Sequence, residues 1–69
     1  MPTAKVIGAR ILELRKERLI TQQELAEALG VTRQLVCNYE TGDCKPGDEV
    51  KKKIAEYFNV SIEDLFFAD

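Results

Sequence analysis

Residues 21–42 read TQQELAEALGVTRQLVCNYETG, a run that holds two helix starts and two helix ends. Thr21 can cap a helix through its hydroxyl, and Glu24, three residues on, can reach back to the Thr21 amide, the two halves of a capping box. Leu25, Ala26 and Leu29 then share one helical face and make a buried stripe. Gly30 supplies the permissive backbone that a sharp exit requires. Thr32 offers a second cap. Val36 and Tyr39, three apart, lie on one face, while Arg33, Gln34, Cys37 and Asn38 occupy the others. Gly42 ends the run. The spacing predicts a helix from Gln22 and a second from about Arg33 to Glu40 or Thr41, joined by a tight turn in the helix-turn-helix pattern.

Outward from this centre the helical period continues. Ile7, Ile11 and Leu14 recur at i, i+4, i+7, with Arg10, Glu13, Lys16 and Glu17 mainly outside their face, which predicts a first helix from Lys5 to Arg18. Downstream, 42-GDCKPG-47 is rich in turn formers. Val50, Ile54, Tyr57 and Phe58 then mark a helix over Asp48 to Phe58, whose acidic start suits a helix N-terminus. Finally 61-SIED-64 repeats the cap-x-x-acid pattern and opens a short helix carrying Ile62, Leu65 and Phe66. No segment alternates with period two. The expected fold class is therefore all-α, a compact five-helix arrangement in a single domain over 1–69.

Composition narrows the function. A chain of 69 residues has room for one small core. Its 45% apolar and 32% charged residues suit a soluble globular protein. Neither a signal peptide nor an apolar run of about 18 residues is present, so a cytoplasmic location and no membrane partner are expected. The two cysteines, Cys37 and Cys44, match no zinc or thioredoxin-like spacing. Without histidine a four-ligand zinc site cannot be assembled in one chain, so no metal is expected, and the thiols should stay free. No nucleophile has an evident base beside it and no glycine-rich phosphate loop occurs. The sequence thus points away from an enzyme, from cofactors and from a small-molecule ligand.

The segments 10-RILELRKER-18, 22-QQELAEALGVTRQ-34, 39-YETG-42, Pro46 and 54-IAEYFNVSIEDLF-66 together resemble the phage Cro/repressor-like, or Xre-type, helix-turn-helix family, over nearly the whole chain. The resemblance implies a DNA-binding domain of the phage-repressor type whose third helix enters the major groove of double-stranded DNA, its N-terminal residues at base edges. Arg33, Gln34 and Asn38 stand at the base-contacting positions. A glutamine amide matches adenine N6 and N7, and an arginine fork matches guanine O6 and N7. Gln22, Thr32 and Lys45 stand where backbone contacts are expected, Thr32 also serving as the cap. Leu35 either touches a thymine methyl or packs against the second helix. Arg15 and Glu40 match a structural ion pair of related domains.

The family likeness further implies a homodimer on a two-fold symmetric operator, because one short helix reads few bases and paired helices double the readout. Leu65, Phe66 and Phe67 are the dimer candidates. The implied function is a transcriptional regulator, more often a repressor. The alternative is a protein-binding helix-turn-helix module such as an antitoxin or adaptor, supported by the net charge of -2 and the acidic segment 43–49. A weaker reading makes Cys37 a thiol switch on the reading face. Two departures from the family stand out. Asp43 occupies a position where relatives often carry a basic residue. Leu19 replaces a glycine that commonly ends the first helix, and because a non-glycine residue at positive φ is strained, that helix is expected to terminate by another route.

Overall fold

A computed structural model describes residues 3–67, with side chains through Leu65. Four α-helices follow one another as α1 (Ala4–Glu17), α2 (Gln22–Leu29), α3 (Arg33–Thr41) and α4 (Asp48–Phe58), and a short π-helical turn, Glu63–Phe67, closes the described chain. The fold is all-helical, as the periodicity predicts. The wide final turn replaces the α-helix expected there, although Ser61 Oγ does accept from the Asp64 amide at 3.0 Å.

Caps start the helices where their side chains allow. Thr3, which the sequence reading passed over, accepts from Val6 N and starts α1 one residue earlier than expected. Thr21 and Glu24 form both halves of the capping box. Thr32 Oγ1 accepts from Leu35 N at 3.1 Å. Such caps satisfy backbone donors that no turn of helix can reach, each worth about 1 kcal/mol.

All four α-helices end in the same way. A left-handed residue closes each, directly after the helix at Gly30 (φ 73°), Gly42 (φ 85°) and Asn59 (φ 56°), and one residue further on, past Arg18, at Leu19 (φ 55°). The next amide then reaches back to close the turn, Ile20 to Arg15 O and Val31 to Ala26 O at 3.0 Å, Asp43 to Asn38 O at 2.9 Å, Val60 to Ala55 O at 3.0 Å. This corrects the expectation for α1, which ends by the glycine route although its residue is leucine. A left-handed leucine costs about 1–2 kcal/mol. Three features hold it: Ile20 packs against the core, Arg15 Nη1 donates to Ile20 O at 2.9 Å, and Arg18 ties the turn to α4. Arg18 Nη2 donates to Phe58 O at 2.9 Å, and its guanidinium stacks over the Phe58 ring. The Leu19 side chain stays in solvent, 90% exposed.

The core collects Ile7, Ile11, Leu25, Leu29, Val36, Tyr39, Ile54, Phe58 and Leu65. Removing such side chains from water contributes about 1.5–3 kcal/mol each before ordering entropy is subtracted. Tyr57 departs from the predicted stripe and is an exposed ring set edge-on against Phe58. The closest helix approach is α1 on the C-terminal end of α3. A Cβ at Gly8 would sit 2.1 Å from Tyr39 O and 2.7 Å from Glu40 O, and a Cβ at Gly42 would sit 3.0 Å from the Lys5 Cα. Two glycines thus let one helix lie against the backbone of the other.

Candidate nucleic-acid interface

The turn Leu29–Thr32 projects α3 so that its two ends meet different surroundings. At the N-terminal end Thr32, Arg33 and Gln34 are exposed. Val36, buried on the opposite side, anchors this turn in the core. Leu35 is half-buried and packs against that core. Cys37 and Asn38 are half-buried. Gln34 Nε2 donates to Asn38 Oδ1 at 3.0 Å, so two of the three predicted base readers are joined to each other. Arg33 lies beside them on the exposed end.

At the C-terminal end Glu40 is held from two other helices. Arg15 of α1 donates through Nε to Glu40 Oε2 at 2.6 Å and through Nη2 to Oε1 at 3.2 Å, a forked pair with side chains only 14% and 5% exposed. Gln22 of α2 donates through Nε2 to the same Oε1 at 2.9 Å. The carboxylate is therefore bonded to both neighbours, and no buried side-chain polar atom among the described residues lacks a partner. This geometry modifies the expectation for Gln22. One of its two amide hydrogens belongs to the Glu40 network. Nothing in the spacing of Gln22 and Glu40 pointed to that bond, because they are far apart in sequence and on different helices.

The remaining predicted positions fall around this frame. Thr32 uses its hydroxyl as the cap. Lys45 is exposed on the α3–α4 connection, between half-buried Cys44 and buried Pro46. Asp43 contributes its backbone, whose amide closes α3 on Asn38 O. Its carboxylate stays exposed, and the acidic side chain itself has no structural role in the described contacts. Both thiols are free. The Tyr39 phenol is pushed above its ordinary range by burial and then by the adjacent Cys44 thiol, so it stays neutral in the core. Of the dimer candidates, Leu65 is corrected: at 2% exposure it is a core residue and offers no surface to a partner. The side chains of Phe66 and Phe67 lie outside the described residues.

Among the described residues no helix is long and apolar enough to cross a membrane. Nor does any group of three or more His, Cys, Asp or Glu side chains there come together to hold a metal ion.

A helix-turn-helix family model matches residues 11–65. The chain is 43% identical over 60 residues to an uncharacterized HTH-type transcriptional regulator of Archaeoglobus fulgidus, covering 87% of this chain and 86% of that one. It is 33% identical over 60 residues to the cryptic phage CTXphi transcriptional repressor RstR of Vibrio cholerae, covering 87% of this chain and 54% of the repressor. To the antitoxin PezA of Streptococcus pneumoniae it is 36% identical over 64 residues, covering 93% of this chain and 40% of the antitoxin. Among solved structures, the restriction-modification controller protein C.AhdI of Aeromonas hydrophila superposes with a TM-score of 0.84 at 27% identity, covering 91% of this chain and 96% of that one. The P22 c2 repressor, solved in complex with a synthetic operator, superposes with a TM-score of 0.85 at 25% identity, again covering 91% and 96%.

Proposed function

The chain belongs to the Xre-type helix-turn-helix family of transcriptional regulators, a non-enzymatic DNA-binding family, and from this we propose that it represses transcription as a homodimer on a two-fold symmetric operator. The observation that carries the reading is the exposed N-terminal end of α3, where Thr32, Arg33 and Gln34 face solvent while Val36 fixes the same turn in the core. In the docking geometry of phage repressors that end meets base edges in the major groove. The likeness to a repressor that was crystallised on its operator supports the same placement.

Each group then has a task. Gln34 offers a donor and an acceptor to adenine, and Arg33 forks onto guanine or swings to a phosphate. Gln22 keeps one amide hydrogen for a phosphate at the start of α2, where the helix end already favours an anion. Arg15 neutralises Glu40 behind it. With a net charge of -2 the protein gains little global attraction from counterion release, and specificity rests on these few hydrogen bonds. Two copies place two such ends about 34 Å apart, one turn of the duplex. Phe66 and Phe67 are the residues proposed for the contact between copies.

A selection of bound duplexes from a random library at low salt tests this reading. A two-fold symmetric sequence should be enriched and should bind two chains per duplex in sedimentation. Enrichment of no sequence would overturn it. That outcome would favour the second reading, a protein-binding module in which the acidic 43–49 segment meets a basic partner, a use for which the likeness to an antitoxin speaks.

A further inference from the structure

We infer that Asn38 is a positioning residue that fixes the amide of Gln34, and thereby the strand on which adenine is read, instead of a third independent base reader; this rests on the DNA-binding reading above. Gln34 Nε2 donates to Asn38 Oδ1 at 3.0 Å. The two residues are one helical turn apart, so Asn38 stands about 6 Å further from the N-terminal end that enters the groove. Asn38 is half-buried where Gln34 is exposed. Its backbone is held at the helix end, where the main-chain carbonyl accepts from Asp43 N at 2.9 Å and from the Thr41 hydroxyl at 3.2 Å.

The chemistry of the amide supplies the consequence. In the orientation of this structure Asn38 presents Oδ1, which can only accept, and so holds the nitrogen end of the Gln34 amide towards itself. That nitrogen keeps a second hydrogen, which lies beside Oε1 on the free edge of the amide. This edge is a donor next to an acceptor, the complement of adenine N7 and N6; guanine shows two acceptors there and would set O6 or N7 against Oε1. An unpinned glutamine turns its amide over and takes adenine in either in-plane sense, from one strand or the other. A pinned one presents donor and acceptor in a fixed order along α3. Asn38 therefore separates A·T from T·A at the base pair that Gln34 touches.

Selection from random duplexes with wild type, Gln34→Ala, Asn38→Ala, Asn38→Asp and the Gln34→Ala/Asn38→Ala double variant tests this. Wild type should show one base pair with adenine on a defined strand, and Gln34→Ala should reduce that preference about tenfold, the discrimination expected of one bidentate contact. Asn38→Ala should relax the same base pair and no other, chiefly by admitting T·A, and the double variant should match Gln34→Ala. Asn38→Asp keeps the acceptor and should keep the strand preference, even where added negative charge weakens all duplexes together. If Asn38→Ala relaxes a different base pair, leaves the preference unchanged, or adds to Gln34→Ala in the double variant, the inference falls. Should Asn38→Ala not fold, loss of strand preference in folded Asn38→Asp overturns it by itself. A wild type that enriches no sequence overturns the DNA reading, and this inference with it.

Discussion

The two ends of α3 belong to one short helix and are built to opposite purposes. The N-terminal end carries Thr32, Arg33 and Gln34 in solvent, with Thr32 supplying the side-chain cap of its first turn. The C-terminal end is enclosed: Gly8 lets α1 lie on the Tyr39 and Glu40 carbonyls, and Glu40 is gripped from α1 by Arg15 and from α2 by Gln22. The contrast shows how so small a domain can hold polar side chains out in solvent on a fixed backbone. Under the proposed DNA-binding role such groups need a fixed origin, which the far end of the same helix supplies through close packing and a charged hydrogen-bond network. Disturbing one end should therefore change stability, and disturbing the other should change recognition.

The largest effect should come from Gly8→Ala. A Cβ 2.1 Å from a carbonyl oxygen cannot be accommodated by rotating a side chain, so α1 must move off α3. A loss of about 3 kcal/mol in urea unfolding is expected, the upper range for overpacking, with binding lost through the fold. Next comes Glu40→Ala, which strips Arg15 and Gln22 of their common acceptor. Removing one partner of a fully buried pair costs about 3–5 kcal/mol. Arg15 keeps 14% exposure and its bond to Ile20 O, so about 2 kcal/mol is expected here. A stability unchanged in Glu40→Ala would break the idea of a clamp.

Much of this contrast was legible in the sequence, and what was legible was local. The Thr21–Glu24 box, the Thr32 cap and the Gly30 and Gly42 exits are settled within a few residues, and chain chemistry alone dictates them. The forked pair of Arg15 and Glu40 was reached through the family likeness. What escaped was tertiary. Gly8 carries no local signal, because the backbone it touches lies across the domain, in α3. Gln22 was expected to serve DNA alone, since nothing near it in sequence announced Glu40. Leu19 was expected to avoid a left-handed backbone; the Arg15 bond to Ile20 O that helps hold it there is local, but the Arg18 bond to Phe58 O reaches across the domain. Leu65 was assigned to a partner, whereas its position on the final turn carries it into the core.

At the reading end the effects are smaller in stability and larger in preference. Gln34→Ala should leave the unfolding midpoint within about 0.5 kcal/mol, as an exposed substitution does. Its cost of about 1–3 kcal/mol should fall on one base pair. Competition between matched and mismatched duplexes measures this directly. Gln22→Ala, by contrast, should weaken all duplexes similarly and reduce the slope of log affinity against log salt, the sign of a lost phosphate contact. The smallest effect belongs to a third place, outside both ends. Leu19→Gly relieves a left-handed leucine but loosens the unfolded chain, and should stabilise by about 0.5–1 kcal/mol in thermal unfolding with recognition unchanged.

The claim that the exposed end of α3 meets DNA is tested most directly by mapping backbone amide shifts of the labelled protein as a selected duplex is added. Perturbations should concentrate over Thr32 to Asn38 and at the start of α2, with the Gly8 and Glu40 contact region little changed. Perturbations centred instead on 43–49 and α4, or absent at saturating duplex, would contradict it.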